Sequence, residues 1–381
     1  MITLLKVRNY KSLENVELPL GPLHVLVGPN NSGKSNLFDV FQFLNDLAVI
    51  GGQAVLSRGG FSQIVWGGDV KRTISFEVHA RLKNGDAQKD DELTYYLELG
   101  GGPQLFAIAK ERLTIAAGPK GKKTLLTYPV ANNNFSVTDL KGNKVALSRS
   151  HDRLVFEQFQ HEAHHGPLAR FGRELLSWSV YNFEPSALHQ PNFVKQEFHF
   201  QPTGENFSSV MHSLQSEHAG KFSEIESLLK RTLPEVRNLF TALTKEGRTY
   251  VSWEEESMPL RVPVWAMSDG ALRLLGQLAA LFSPVQPALA CFEEPENYVH
   301  PALLTVIADA IKCASAEKQV LISTHSPYLL DFFSPENLII AEKKKGQTMF
   351  EFVKDKKSLK ETLRVLGLGE IWYSGQLGGT P

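Results

Sequence analysis

Two stretches of this 381-residue chain carry residue types and spacings suited to chemistry. The first is GPNNSGKS, Gly28 to Ser35, which fits G-x-x-x-x-G-K-[ST]. The second is CFEEPEN, where Glu293 and Glu294 stand side by side after an apolar run. Glycines at 28 and 33 permit backbone shapes that a Cβ would block, so backbone N–H groups can wrap phosphate oxygens. Lys34 would then reach the β- and γ-phosphates, and Ser35 would ligate Mg²⁺. Carboxylates taken out of water cost several kcal/mol each unless a cation, a proton or hydrogen bonds compensate. Beside a phosphate loop the compensation has a source. Glu293 would hold the Mg²⁺ shell, directly or through water, and Glu294 would orient and polarise an attacking water. The chemistry implied is hydrolysis of ATP. The plain alternative for EEPEN is a solvated acidic turn closing a strand.

Two further stretches fall in a compatible order. In MSDGALRLL, Ser268, Asp269 and Gly270 open a helix. Ser and Asp are ordinary N-cap residues, but a helix N-terminus with a glycine and a free hydroxyl also suits phosphate. In VLISTHSP, His325 follows an apolar strand, where its ring could touch a γ-phosphate. HEAHH, His161 to His165, fits the zinc-protease pattern H-E-x-x-H, but Gly166-Pro167 breaks the chain at once. Basic clusters at 119–123, 342–346 and 354–360 are the places where DNA phosphates could be met; such runs are more often solvated turns and helix faces.

The elements that must position these residues are legible as patterns. ITLLKVRNY, LENVELPL and LHVLVG are strands, the last leading into the phosphate loop. Asn36 to Ile50 has helical length, with apolar residues on most sides, as a helix buried in a large core requires. Six glycines between 51 and 70 mark a loop. From about 71 to 148 the period is two, as in TISFEVHARL, which implies an antiparallel β lobe. Residues 151–178 and 205–235 turn helical, and LTKEGRTYVSW is a hairpin around Glu246-Gly247. From 268 the order is helix (Ser268–Phe282), strand (Ala288–Phe292), helix (Pro301–Ala314), strand (Gln319–Ser323), helix (Pro327–Phe333), which implies a parallel sheet. The expected division is 1–70 and 241–381 as the two parts of an ATPase core, 71–150 as the β lobe and 151–240 as a helical insertion. The fold class is α/β, a P-loop nucleotide hydrolase with a parallel core.

Bulk composition is ordinary for a soluble globular chain, with 42% hydrophobic and 21% charged residues. Forty basic against 41 acidic residues, net −1, excludes a coat of basic charge for nucleic acid. No run approaches the roughly 18 apolar residues of a membrane span, and the N-terminus lacks a signal-peptide pattern. A cytosolic location without a membrane partner is expected. Cys291 and Cys313 lie in apolar stretches and are expected to be buried thiols.

With these motifs in order, the sequence resembles the ABC-type ATPase heads of the RecF/SMC group. More narrowly it is similar to the stand-alone AAA-type ATPases related to OLD (overcoming-lysogenisation-defect) proteins. VRNYKSLENVEL, GENFSSVMHSL, SDGALRLL, FEEPENYVHP, STHSPYLL and LGEIWYSGQLGG carry the likeness, which spans nearly the whole chain and is least over 100–150 and the β lobe. The resemblance implies heads that dimerise head to tail around ATP, the phosphate loop of one copy facing the signature stretch of the other. It places Lys11 and Ser12 near the nucleotide, and Asn30, Asn31, Ser32, Gly33, Lys34, Ser35 and Asn36 in the phosphate cradle. It places Ser268 and Gly270 on the γ-phosphate in trans, Asn297 and His300 in the stretch crossing the dimer, and His325 as switch histidine. Lys34, Glu294 and His325 are then the catalytic set, with Ser35 and Glu293 on the metal.

There are departures. Asp269 stands where many ABC proteins have glycine, Glu293 where many relatives have Asp, and Gln63 is the sole candidate for the glutamine loop. OLD nucleases append a Toprim nuclease, and the 56 residues after His325 (326–381) are too few for one. The 150–240 segment is too short for a coiled-coil arm. The expectation is an ATP-driven switch acting on a partner protein or DNA, in anti-phage defence or genome maintenance. The alternatives are a nucleotide sensor and scaffold with little turnover, and a zinc hydrolase.

Overall fold

The computed structural model describes residues 1–83, 90–102, 106–116, 122–128, 135–138, 144–147, 152–155, 166–353, 362–363 and 365–379. The chain forms two compact units, each built from three separated segments.

The first unit comprises Met1–Pro22, Gly28–Trp178 and Ile339–Phe352. Its main sheet has eight antiparallel strands in the order β2-β1-β4-β5-β6-β7-β8-β9. They are β1 (Ile2–Tyr10), β2 (Leu13–Pro19), β4 (Ile74–Leu82), β5 (Asp91–Gly101), β6 (Phe106–Ala116), β7 (Lys122–Tyr128), β8 (Phe135–Thr138) and β9 (Lys144–Leu147). The expected β lobe is therefore continuous with the N-terminal hairpin, through β1 pairing with β4. The alternation Ile74, Phe76, Val78, Ala80 and Leu82 is buried on one face, as a half-covered antiparallel strand requires. On it pack α1 (Lys34–Ile50), the short α2 (Gln53–Leu56) and α3 (Phe61–Ile64), and α4 (Gly166–Leu176). Helix α1 stops at Gly51, whose φ of 58° is left-handed and whose N–H bonds the Leu47 carbonyl. Tyr10, Phe43 and Phe76 form a ring cluster with centroids 5.2 to 5.7 Å apart. The helical stretch expected from 151 is seen from Gly166; residues 152–155 are not α-helical. The hairpin β17 (Leu338–Lys344) and β18 (Gln347–Phe352) completes this unit and has no counterpart among the sequence expectations.

The second unit comprises Leu23–Val27, Ser179–Leu338 and Val353–Pro381. Its core is a parallel sheet in the order β10-β15-β16-β3. These are β3 (Leu23–Val27), β10 (Ser179–Tyr181), β15 (Leu289–Glu293) and β16 (Gln319–Ser323). β3 and β16 are buried throughout and β15 as far as Phe292, which is why they read as apolar runs rather than alternations. Helices α5 (Pro185–Leu188), α6 (Phe207–Glu217), α7 (Ala219–Thr232), α8 (Asp269–Phe282), α9 (Leu304–Ser315), α10 (Pro327–Leu330) and α11 (Leu368–Tyr373) belong here. A second sheet, β11 (Asn192–Phe193), β13 (Arg248–Glu255), β12 (Val236–Leu243) and β14 (Val262–Pro263), contains the expected hairpin around Gly247. Cys291 is buried as expected; Cys313 is exposed, because α9 turns that face to solvent. HEAHH and the cluster at 354–360 lie outside the described residues.

Candidate active site

In the parallel sheet, register pairs Leu26 with Ser323 and Ser323 with Glu293. All three strands run the same way, so β3 ends at the sheet edge where β15 ends in Glu293 and β16 in Ser323. The residue after Val27 is Gly28. In open α/β sheets the carboxyl ends of strands are where ligands bind.

In the first unit, the loop from Gly28 turns into α1 through strained positions. Gly28 has φ 149° and Gly33 φ 100°. A Cβ on Gly28 would come within 2.1 Å of the Ala341 carbonyl oxygen, and one on Gly33 within 2.0 Å of Thr348 Oγ1. No side chain caps α1, so its first N–H groups keep their capacity for an anion. Lys34 is 7% exposed, and its Nζ donates to the carbonyls of Gly28 (2.8 Å) and Pro29 (3.1 Å). The ammonium is thus folded into the curl of the loop. Ser35, Asn30 and Asn31 are exposed; Lys343 Nζ donates to Asn31 Oδ1 at 3.3 Å.

Behind the loop is a network that the motif did not announce. Asn36 Nδ2 donates to Ser12 Oγ at 2.7 Å, and Ser12 Oγ shares a hydrogen bond with Thr348 Oγ1 at 2.7 Å. Thr348 Oγ1 also lies 2.9 Å from the Ser32 carbonyl. Thr348, on β18, thereby ties the N-terminal hairpin to the loop. Lys11 is held elsewhere: its Nζ is 2.5 Å from Asp39 Oδ2. Burial works against the Asp39 carboxylate, but Arg58, with hydrogen bonds from Lys11 and Tyr10, outweighs it and lowers its pKa. Gln63 is exposed on α3.

In the second unit, Glu294 has φ 44°, unusual for a side chain with a Cβ. Three contacts hold it there. Its N–H donates to the Ser323 carbonyl at 2.9 Å, Arg273 Nη2 donates to its carbonyl at 2.9 Å, and Asn297 Nδ2 donates to its Oε2 at 2.5 Å. Its Oε1 lies 3.8 Å from His325 Nε2, so the structure brings these two candidates together. Asn182 Nδ2 is 3.5 Å from Glu293 Oε2. Gln277 Nε2 donates to the Pro295 carbonyl at 2.8 Å. Arg273 and Gln277 on α8 therefore grip consecutive carbonyls of the carboxylate turn, and a Cβ on Gly270 would meet the Tyr298 carbonyl oxygen at 2.4 Å. Glu296 Oε1 accepts from Thr324 Oγ1 (2.6 Å) and from the His325 N–H (2.9 Å). Burial raises the Glu296 pKa, and its Oε2 is buried without a hydrogen-bond partner. Ser268 caps α8, accepting from the Ala271 N–H at 3.4 Å. His300 is exposed.

Arg273, Gln277, Glu296, Thr324 and Thr348 were missed in the sequence. The spacing of Arg273 and Gln277 on α8, i and i+4, marks one face, but nothing local says what that face meets.

The chain belongs to the AAA family described as "AAA domain, putative AbiEii toxin, Type IV TA system", whose model matches residues 23–331. It is 25% identical to an OLD nuclease of Thermus scotoductus over an alignment of 386 residues, covering 90% of this chain. The chain spans 62% of the length of that relative. Among solved structures it is similar to an SMC head bound to the C-terminal winged-helix domain of ScpA, with TM-score 0.59, 14% identity and coverage of 94% and 99% of the two chains. An SMC head with an extended coiled coil, bound to a C-terminal domain of ScpA derived from Pyrococcus furiosus, matches at TM-score 0.51 and 15% identity, covering 96% and 99%. The fold is thus that of ABC-type and SMC ATPase heads, with parallel and antiparallel sheets and helical insertions. Membership of an AAA-type P-loop family implies use of ATP with Mg²⁺. Among the described residues no helix is long and apolar enough to cross a membrane.

Proposed function

We propose that this chain binds ATP through Gly28–Asn36 and hydrolyses it, with Glu294 polarising the attacking water. The observation that carries the reading is the loop itself: an uncapped helix N-terminus, glycines at 28 and 33 that tolerate no Cβ, and Lys34 Nζ folded inward. Ser35 and Glu293 are the hard oxygen donors that Mg²⁺ prefers, and bound there it would neutralise charge on the phosphate oxygens. Asn297 orients the Glu294 carboxylate by a hydrogen bond and His325 Nε2 stands 3.8 Å from it, an arrangement that suits a water-polarising base. Ser268 and Gly270 are proposed to meet the nucleotide of a second copy, so that two chains close around ATP. Lys11 is assigned to the rim of this site, releasing Asp39 when it reaches nucleotide. The SMC heads of similar fold are bound to a domain of ScpA, and on that analogy a separate protein receives the conformational change; DNA is the other candidate recipient.

Two substitutions test this. Lys34→Ala should lose ATP binding and turnover together. Glu294→Gln should keep binding while hydrolysis falls by about two orders of magnitude or more, in line with loss of a general base. Size-exclusion chromatography with ATP should then reveal an accumulated dimer. Normal turnover in Lys34→Ala would move the nucleotide site elsewhere.

A further inference from the structure

Asp269 puts a carboxylate between the two residues proposed to meet phosphate. An anion in the first turn suits the helix dipole, but it repels an incoming polyphosphate. His189, just after α5, answers it. Its Nδ1 lies 2.8 Å from the Val264 carbonyl oxygen, and its Nε2 lies 3.0 Å from Asp269 Oδ1. A carbonyl accepts, so Nδ1 must carry hydrogen. A neutral imidazole has one N–H, and Nε2 would then be an acceptor facing an ionised carboxylate that has nothing to donate. Imidazolium satisfies both contacts at once.

We propose that His189 is a positioning residue and counter-ion for the signature stretch. It draws the Asp269 carboxylate aside and cancels its charge, so that the start of α8 can accept the γ-phosphate. Ser268 Oγ already accepts from Ala271, which leaves its own hydrogen to donate outward. The inference rests on the reading that Ser268 and Gly270 contact a second copy's nucleotide. The other charged groups around α5 are engaged elsewhere. Arg273 of α8 is turned to the Glu293 and Glu294 carbonyls, with exposed Glu184 acting on it. On α6, His212 faces Thr241 and Glu217 accepts from Gln196.

The test is ATP-dependent dimerisation of the full chain with Mg²⁺, followed by size exclusion at one fixed pH. His189→Gln should raise the dimer Kd about tenfold over the wild type. His189→Arg, which keeps a cation, should dimerise as the wild type does. Asp269→Asn should also dimerise as the wild type does, and adding His189→Gln to it should change nothing further. If the double variant is as weak as His189→Gln, or if His189→Gln keeps the wild-type Kd, His189 is not the counter-ion. Circular dichroism melts identify any variant that is simply misfolded, and the arginine variant then decides. A wild type that binds ATP but stays monomeric overturns the composite-site reading, and this inference falls with it.

Discussion

A lysine ammonium leaves water only where carbonyl oxygens replace its hydration. Lys318 is 8% exposed, and its Nζ donates to the carbonyls of Leu281 (2.9 Å) and Ala280 (3.3 Å), the last turn of α8. Burial pushes its pKa down to about 7, with Glu317 opposing weakly. The unfolded chain keeps that proton up to about pH 10.4. Between these values the unfolded state binds more protons than the folded one, so stability rises with pH. Below about pH 7 both states are charged, and the full cost of burial is present. Lys318→Met should remove this dependence. Thermal melts from about pH 6 to about pH 9 should show the wild type gaining on the variant as pH rises; a constant difference would sink the assignment. Glu294 is the other residue whose surroundings decide its use. Its left-handed backbone persists because Arg273, Asn297 and the Ser323 carbonyl each hold a different atom of it.

Helix α8 does two jobs along one face. Ser268 and Asp269 open it, while Gly270, Arg273 and Gln277 pack against the 293–298 turn. Arg273→Met keeps most of the volume but removes the guanidinium donor to the part-buried Glu293 and Glu294 carbonyls, at a cost of about 1–3 kcal/mol. Turnover should fall while nucleotide affinity changes little, and Arg273→Lys should recover part of both stability and rate. Unchanged kinetics in a folded Arg273→Met would separate the helix from the proposed role of the carboxylate turn. The legible part of the site was the part contiguous in the chain. GPNNSGKS and CFEEPEN each announce themselves, because phosphate wrapping and paired carboxylates need neighbouring residues. The helices and strands after 268 were legible for the same reason: their periods are local. Thr348, His189 and Arg273 were not, since each acts on a backbone or side chain brought near by folding. The β17–β18 hairpin was hidden because its basic turn, EKKKG, has the composition of any solvated loop.

At the scale of the molecule, each unit is assembled from three segments, and the parallel sheet joins strands from both ends of the chain. Leu23 pairs with Val320, whereas β4 pairs with β5 and β5 with β6 across short turns. Local antiparallel pairing closes small loops; the β3–β16 pairing closes nearly the whole chain, and such contacts form slowly. Pulse-labelled hydrogen exchange during refolding should therefore protect amides of β4–β6 before those of Leu23–Val27. Equal protection in the earliest phase would refute this order.

That topology also matters while the chain is being made. Leu23–Val27 is buried along its whole length in the finished sheet, yet it emerges from the ribosome long before Gln319–Ser323 exists to pair with it. At about 5–20 residues per second, the wait is about 15–60 seconds. Throughout that time an apolar strand with unmet amide and carbonyl groups precedes the phosphate loop. A nascent chain in this condition exposes what a chaperone binds, and the proposed site is still incomplete, because Glu293 and Glu294 have not yet been translated.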